Sequence, residues 1–352
     1  MIALLLLLAA ACCANALIVT SHPSLPTLPP SDFPQSCRAF NDAFARLATR
    51  AVPVPSYVSD SGSVSVSYIK WSSSNIAPTG PPLILVHGFD SSCLEFRRLG
   101  PALAALGREA YAVDVLGWGF SDLSPGVKTF GADAKVAALE GFVSSLGSAE
   151  GVVVVGASLG GAAAIELAAA RPEDVVAAVL IDAQGFVDGV GPMASLPRPL
   201  AGLGVDVLGS RPLRSLANRL SYHDKEKFAT EDALLIGRLH TRREGWKDAL
   251  VSFMRSGGFS PSGKVGRIKS PTLVLWGRQD GILDGEEYAG RFVEEMEDAE
   301  LQWVEECGHV PHLEQSEVTA KAISNFLEKK APGFHKHKNT DENNICEEPQ
   351  SS

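Results

Sequence analysis

The chain has 352 residues, with 31 Lys and Arg against 41 Asp and Glu, a formal net charge of −10 and 45% hydrophobic residues. Such a composition belongs to a soluble globular protein, long enough for two domains or for one α/β domain carrying an insertion. The acidic balance and the lack of a basic patch interleaved with aromatics speak against a nucleic-acid partner, and no zinc-type cysteine spacing or internal repeat occurs.

Residues 1–16 read as a secretory leader. Ile2 to Ala14 is an unbroken apolar run, and Ala14-Asn15-Ala16 resembles a small-x-small cleavage site. An uncleaved anchor is the rival reading, because apolar residues resume at Leu17 to Val19. Asn15 and the marginal length argue against that, so no stable membrane span is expected once the leader is removed. Residues 17–55 form a Pro- and Ser-rich lead-in with one short helical pattern, Arg38 to Ala48, and no acidic residue before Asp32. The leader implies the secretory pathway or secretion. A plastid reached through a bipartite, transit-like leader is the second reading, although transit peptides are usually richer in Arg. Beyond the leader, Cys37, Cys93, Cys307 and Cys346 are widely spread, and their pairing is not legible.

A strand–helix rhythm follows. Val64 to Trp71 starts with alternating apolar and polar residues, which predicts a half-buried antiparallel strand at a sheet edge. Leu83 to Val86 is continuously apolar, as a central parallel strand should be, and runs into His87-Gly88-Phe89-Asp90. A helix over Glu95 to Leu106, a strand over Ala110 to Val115 and a helix over Gly131 to Leu146 come next. Val152 to Val155 then enters Gly156-Ala157-Ser158-Leu159-Gly160, followed by the alanine-rich helical stretch Ala162 to Ala170. Val175 to Ile181 is a further strand, closing at Asp182.

The rhythm breaks over residues 185–269, which hold helical patterns and read as a cap over the carboxyl ends of the strands. Its Phe186, Met193, Tyr222, Trp246, Phe253, Met254 and Phe259 either line a substrate pocket or form the cap's own core. The rhythm resumes with a strand at Pro271 to Gly277, a helix at Glu286 to Glu297, a strand at Glu300 to Val304 and a helix at Ser316 to Lys329. The core is thus 56–184 and 270–330. Residues 331–352 are polar and non-periodic, the pattern of a disordered tail.

The order strand, Gly-x-Ser-x-Gly, helix is what a nucleophile elbow needs. A serine hydroxyl becomes a nucleophile at neutral pH when an imidazole takes its proton and a carboxylate orients that imidazole. At strand ends on the same edge as Ser158, Asp280 stands in Gly277-Arg278-Gln279-Asp280 and His309 in Cys307-Gly308-His309-Val310-Pro311-His312. His312 competes with His309, but a packing role suits it better. Asp182 is an alternative acid, with strand-end or helix capping as its plainer role.

With these motifs in order, the chain resembles the α/β-hydrolase superfamily in its capped, single-domain branch with a serine nucleophile. The resemblance spans about Val64 to Leu327, through Leu85-Val86-His87-Gly88-Phe89, Asp114-x-x-Gly117-x-Gly119-x-Ser121, the elbow, Gly277 to Asp280, and Gly308-His309 leading to Glu314. It implies a mostly parallel central sheet flanked by helices. It implies Ser158 as nucleophile, His309 as base, Asp280 as orienting acid, and an oxyanion hole from the backbone N–H groups of Phe89 and Leu159. Two positions depart from the common pattern: Ala157 stands where relatives often carry a larger side chain, with a wider site expected, and Leu116 where many carry Arg.

The implied activity is cofactor-free and metal-free hydrolysis of an ester, or less readily a thioester or amide, of a small apolar molecule. Carbon–carbon bond hydrolases and cofactor-free haloperoxidases share the same triad. A small-molecule receptor or interaction protein on this fold is the competing class. Dehalogenases and epoxide hydrolases need a carboxylate nucleophile, which Ser158 is not. Oligomeric state is not legible.

Overall fold

The computed structural model describes Pro34 and residues 37–330; the leader, about half of the lead-in and the tail lie outside them. Eight strands form one sheet: β1 Leu47–Pro53, β2 Ser63–Trp71, β3 Leu83–Val86, β4 Ala110–Val113, β5 Val152–Ala157, β6 Val175–Ile181, β7 Thr272–Gly277 and β8 Ala299–Val304. Their order is β1-β2-β4-β3-β5-β6-β7-β8. β1–β2 and β2–β4 pair antiparallel and every other neighbour pair is parallel.

Continuous apolar runs make the centre of the sheet because helices cover both of its faces. Alternate residues divide between two cores. Ile84, Val86, Val152 and Val154 pack on one side with Phe142 and Ile165. Leu83, Leu85, Val153 and Val155 pack on the other with Leu99, Leu103 and Phe326. Each such fully buried aliphatic side chain contributes about 1.5–3 kcal/mol. The helix Leu159–Ala170 lies unusually close to the sheet: a Cβ on Gly160 would stand 2.1 Å from the Val86 carbonyl oxygen. Small residues there let the elbow pass near β3.

Two expectations are corrected. The sheet edge beside β2 is β1, which lies partly in the stretch read as a helical pattern; that helix is only Arg38–Phe44. β1 has no clean alternation, and its strand character comes from the seven-residue register with β2, from Leu47↔Ile69 to Pro53↔Ser63. The single helix expected over Glu95 to Leu106 is a 3₁₀ turn, Cys93–Phe96, followed by a helix Leu99–Ala105. Pro101 has no N–H to offer the carbonyl of residue 97 and its ring crowds that carbonyl, which favours a break before residue 99 and leaves Pro101 in the first turn of the second helix.

Between β6 and β7 the chain runs through helices at Arg198–Leu208, Arg211–Ser221, Lys225–Phe228, Glu231–Arg238 and Trp246–Arg255. One buried carboxylate ties this insertion to the loop after β3. Asp90 takes Trp246 Nε1 at 2.8 Å and His240 Nε2 at 3.0 Å, and also the Arg214 guanidinium. Burial alone would raise the Asp90 carboxyl; His240, Arg214 and Trp246 outweigh it and hold the group well below the carboxylate range. No helix among the described residues is long and apolar enough to cross a membrane. Cys37, Cys93 and Cys307 are unpaired among the described residues.

Candidate active site

Ser158 sits at the β5–helix junction with φ 51° and ψ −122°. A positive φ on a serine is costly and is held here by the surrounding backbone. Gly156 is required beside it, because a Cβ there would lie 2.4 Å from the Gly160 carbonyl oxygen. The loop after β7 delivers Asp280, and the loop after β8 delivers His309.

The structure brings these three side chains together. His309 Nε2 lies 2.9 Å from Ser158 Oγ, and His309 Nδ1 lies 2.7 Å from Asp280 Oδ2. The other Asp280 oxygen accepts the N–H groups of Ile282 at 2.7 Å and Leu283 at 3.1 Å. Burial pushes the Asp280 carboxyl up, but His309 and these two donors prevail and keep it below its ordinary value. The loop of His309 is fixed from both sides. His309 N–H bonds Ser221 O at 2.8 Å, and Gly308 N–H bonds Glu314 Oε2 at 2.8 Å. Glu314 also accepts from the N–H groups of His223 and Asp224, so one carboxylate joins this loop to the insertion.

Phe89 and Leu159 flank the serine. A Cβ on Gly88 would be 3.3 Å from Ser158 Cβ, which brings the loop after β3 against the elbow. Leu159 opens its helix, where a backbone N–H has no intrahelical acceptor. His87 lies beneath this loop. It takes the Val115 N–H on Nε2 at 3.1 Å and faces Gly88 O with Nδ1 at 2.9 Å, which sets the Nδ1–H tautomer. Burial lowers His87 to about 4, so it stays neutral and serves the loop rather than proton transfer. His312 is buried with Nε2 2.9 Å from Glu95 Oε1, away from Ser158's hydrogen bond.

Asp182 caps no helix. It is fully buried, has φ 43° and accepts the Gly277 N–H at 2.9 Å. Its other oxygen has no donor partner and faces the Asp280 carboxyl group. Two acceptors become a hydrogen-bonded pair when one carries a proton. Burial first, and the Asp280 charge second, push Asp182 well above its ordinary value, the direction that favours Asp182 as the proton-bearing member of the pair. Asp182, Asp280 and His309 offer ligand-type atoms within 4.8 Å of one another. The His309–Asp280 hydrogen bond already engages two of those atoms, so the cluster reads as a proton-holding relay rather than a metal cradle. Asp182→Asn, which keeps an acceptor for Gly277 and a donor for Asp280, should stay within about threefold of wild-type kcat, whereas Asp182→Ala should lose about 10- to 100-fold through misplacement of Asp280. Steady-state kinetics across pH checks this: a displaced pH profile in the Asn variant would show that Asp182 is ionised.

A cavity of about 330 Å³ opens onto Ser158 and His309. Phe89, Ala217, Leu234, Ile236, Ile282 and Leu313 give it apolar walls, and Arg97, Arg214 and Tyr222 add polar ones. Of the seven large cap residues singled out from sequence, only Tyr222 lines it. Trp246, Phe253, Met254 and Phe259 are buried in the core, and Phe186 packs against Phe292. Ala157 is buried in the core beneath the elbow and lines no part of the cavity, so the expected widening does not arise from it.

An eight-stranded, mostly parallel sheet with this elbow defines a class, and comparison with known proteins agrees. The model of the alpha/beta hydrolase family matches residues 83–322, and the chain belongs to that family. It is 37% identical over 306 residues to the alpha/beta hydrolase domain-containing protein VTE7 of Arabidopsis thaliana, covering 84% of this chain and 90% of that one. It is 28% identical to the 2-hydroxy-6-oxononadienedioate/2-hydroxy-6-oxononatrienedioate hydrolase of Paraburkholderia xenovorans, over 70% of this chain and 86% of that one. Among solved structures, a thermophilic esterase from Thermogutta terrifontis superposes with a TM-score of 0.65 at 23% identity, covering 80% of this chain and 98% of that one.

Proposed function

We propose that the protein is a serine hydrolase that cleaves an ester of a small, largely apolar molecule, under a cap formed by residues 185–269. The observation that carries the reading is the continuous relay from Asp280 through His309 to Ser158 Oγ, with both links at hydrogen-bond distance. Ser158 Oγ attacks the carbonyl carbon while its proton passes to His309 Nε2. The carbonyl oxygen becomes an oxyanion facing the N–H groups of Phe89 and Leu159. Fixed donors aimed at that developing charge are usually a large catalytic contribution. The tetrahedral adduct expels the alcohol, which takes the proton from His309. Water then attacks the acyl-serine by the same route, releasing the acid and restoring Ser158. Asp280 holds Nδ1–H and stabilises the imidazolium without itself gaining a proton.

Relatives that include an esterase and a hydrolase of oxononadienedioates support hydrolysis and leave the bond cleaved to be fixed by assay. Fluorophosphonate labelling of wild type beside Ser158→Ala, with a p-nitrophenyl ester chain-length series on the same samples, tests the reading. Labelling and turnover that disappear together in the variant are expected. Folded wild type that neither labels nor turns over would favour a small-molecule receptor instead.

A further inference from the structure

The cavity that holds Ser158 is also lined by a buried cation that forms no ion pair among the described residues. Arg97 is 6% exposed and lines the cavity. Its Nη1 donates to the Leu94 carbonyl at 3.1 Å, and its Nε has no partner. The Tyr222 hydroxyl lies beside it. No carboxylate forms an ion pair with Arg97 among the described residues. Two carboxylates line the same cavity, but both are already engaged: Glu95 takes the Gly88 N–H on Oε2 at 3.2 Å and faces His312 with Oε1, and Asp90 holds His240, Trp246 and Arg214.

The setting of other basic groups makes this unusual. Arg108 is equally buried and pairs with Glu328 at 2.9 Å, and Arg214 pairs with Asp90. Lys135 is buried over the Trp118 ring, and burial pushes its amine far down, so it can shed its charge. A guanidinium has no such escape and keeps its proton when desolvated. Arg98, next in sequence, adds a second positive charge: it stacks 4.9 Å from the Phe228 ring centre and donates to the Leu313 carbonyl at 3.4 Å. Buried charges are normally paired, because an unpaired one costs several kcal/mol. A ligand supplies the missing partner where the protein does not.

We propose that Arg97, with the Tyr222 hydroxyl, is a subsite for a carboxylate carried by the substrate, so that the preferred substrate is an ester with an apolar body and one anionic end. This rests on the hydrolase reading for turnover but not for binding. A planar guanidinium whose Nε lacks an acceptor matches a carboxylate better than an ammonium would.

The test compares mono-p-nitrophenyl glutarate with p-nitrophenyl butyrate on the full chain. Wild type should prefer the anionic ester by kcat/KM. In Arg97→Gln that preference should fall roughly 30-fold, the scale of one lost hydrogen bond to a charged group, with Arg97→Lys intermediate. Calorimetry on Ser158→Ala with glutarate against 1,5-pentanediol reads the subsite without turnover and with Arg97 intact, so it holds even where the Arg97 variants fail to fold. Glutarate binding without hydrolysis of either ester would uphold the subsite and sink the hydrolase reading. Hydrolysis of both esters at equal efficiency, with no glutarate binding, would overturn the subsite and leave the hydrolase standing.

Discussion

Exchange of His309 for alanine is expected to lower kcat by about 10⁴- to 10⁶-fold, with residual turnover supplied by the oxyanion donors and by binding alone. The size follows from two bonds lost at once. Without the imidazole, Ser158 Oγ has no acceptor for its proton at 2.9 Å, and Asp280 loses its 2.7 Å partner. The side chain is buried, so solvent water replaces it poorly. Asp280→Asn should fall by about 10⁴-fold, because the amide favours the wrong imidazole tautomer. The two losses should not add in the double variant, since the groups act as one unit. Single-turnover kinetics on a p-nitrophenyl ester measures this, and a His309→Ala protein keeping a tenth of wild-type kcat would remove His309 from the mechanism.

The second large effect concerns folding. Gly277→Ala would place a Cβ 1.9 Å from the Gly308 carbonyl oxygen and 2.8 Å from that of Cys307. Both obstacles are backbone, and neither can turn aside as a side-chain end could. The clash lies where the loops of Asp280 and His309 are stitched together, with Gln279 N–H on Cys307 O and Cys307 N–H on Gln279 Oε1, each at 2.9 Å. The substitution should destabilise by more than about 4 kcal/mol, or yield no folded protein. Gly290→Ala is the control: nothing stands within 4 Å of its Cβ, and it lies within the helix Gly285–Glu295. That change should stabilise by about 0.5–1 kcal/mol. Urea denaturation of both variants decides, and equal midpoints would contradict the steric account.

What was legible in the sequence had a local signal. Ser158 and Asp280 each follow a continuous apolar strand within a few residues, His309 follows the alternating strand Ala299–Val304, and parallel strands end on a common edge. Asp182 was visible as a strand-end carboxyl, but its upward shift comes from burial and from a facing group about a hundred residues away. Asp90 and Arg97 carry no pattern at all: one is notable for the donors that converge on it, the other for the acceptor it lacks. β1 was missed because pairing, not its own residues, makes it a strand. The cap's aromatics were ambiguous because apolar residues at helical spacing serve a core or a pocket equally well, and the packing chose the core for all but Tyr222.

The bond from Asp90 to three separate parts of the insertion has a kinetic consequence. Swinging the roof away would strip one buried carboxylate of an arginine, an indole and an imidazole together, and breaking such a buried cluster costs about 3–5 kcal/mol. The same loop carries Phe89, so an opened roof would also slacken the proposed oxyanion donors. The exposed lining residues Ala217 and Ile282 already leave the cavity in contact with solvent without any such opening. A roof held shut in this way would sort molecules as a sieve does, by shape at the threshold, and bulk there would slow the exit of product as much as the entry of substrate.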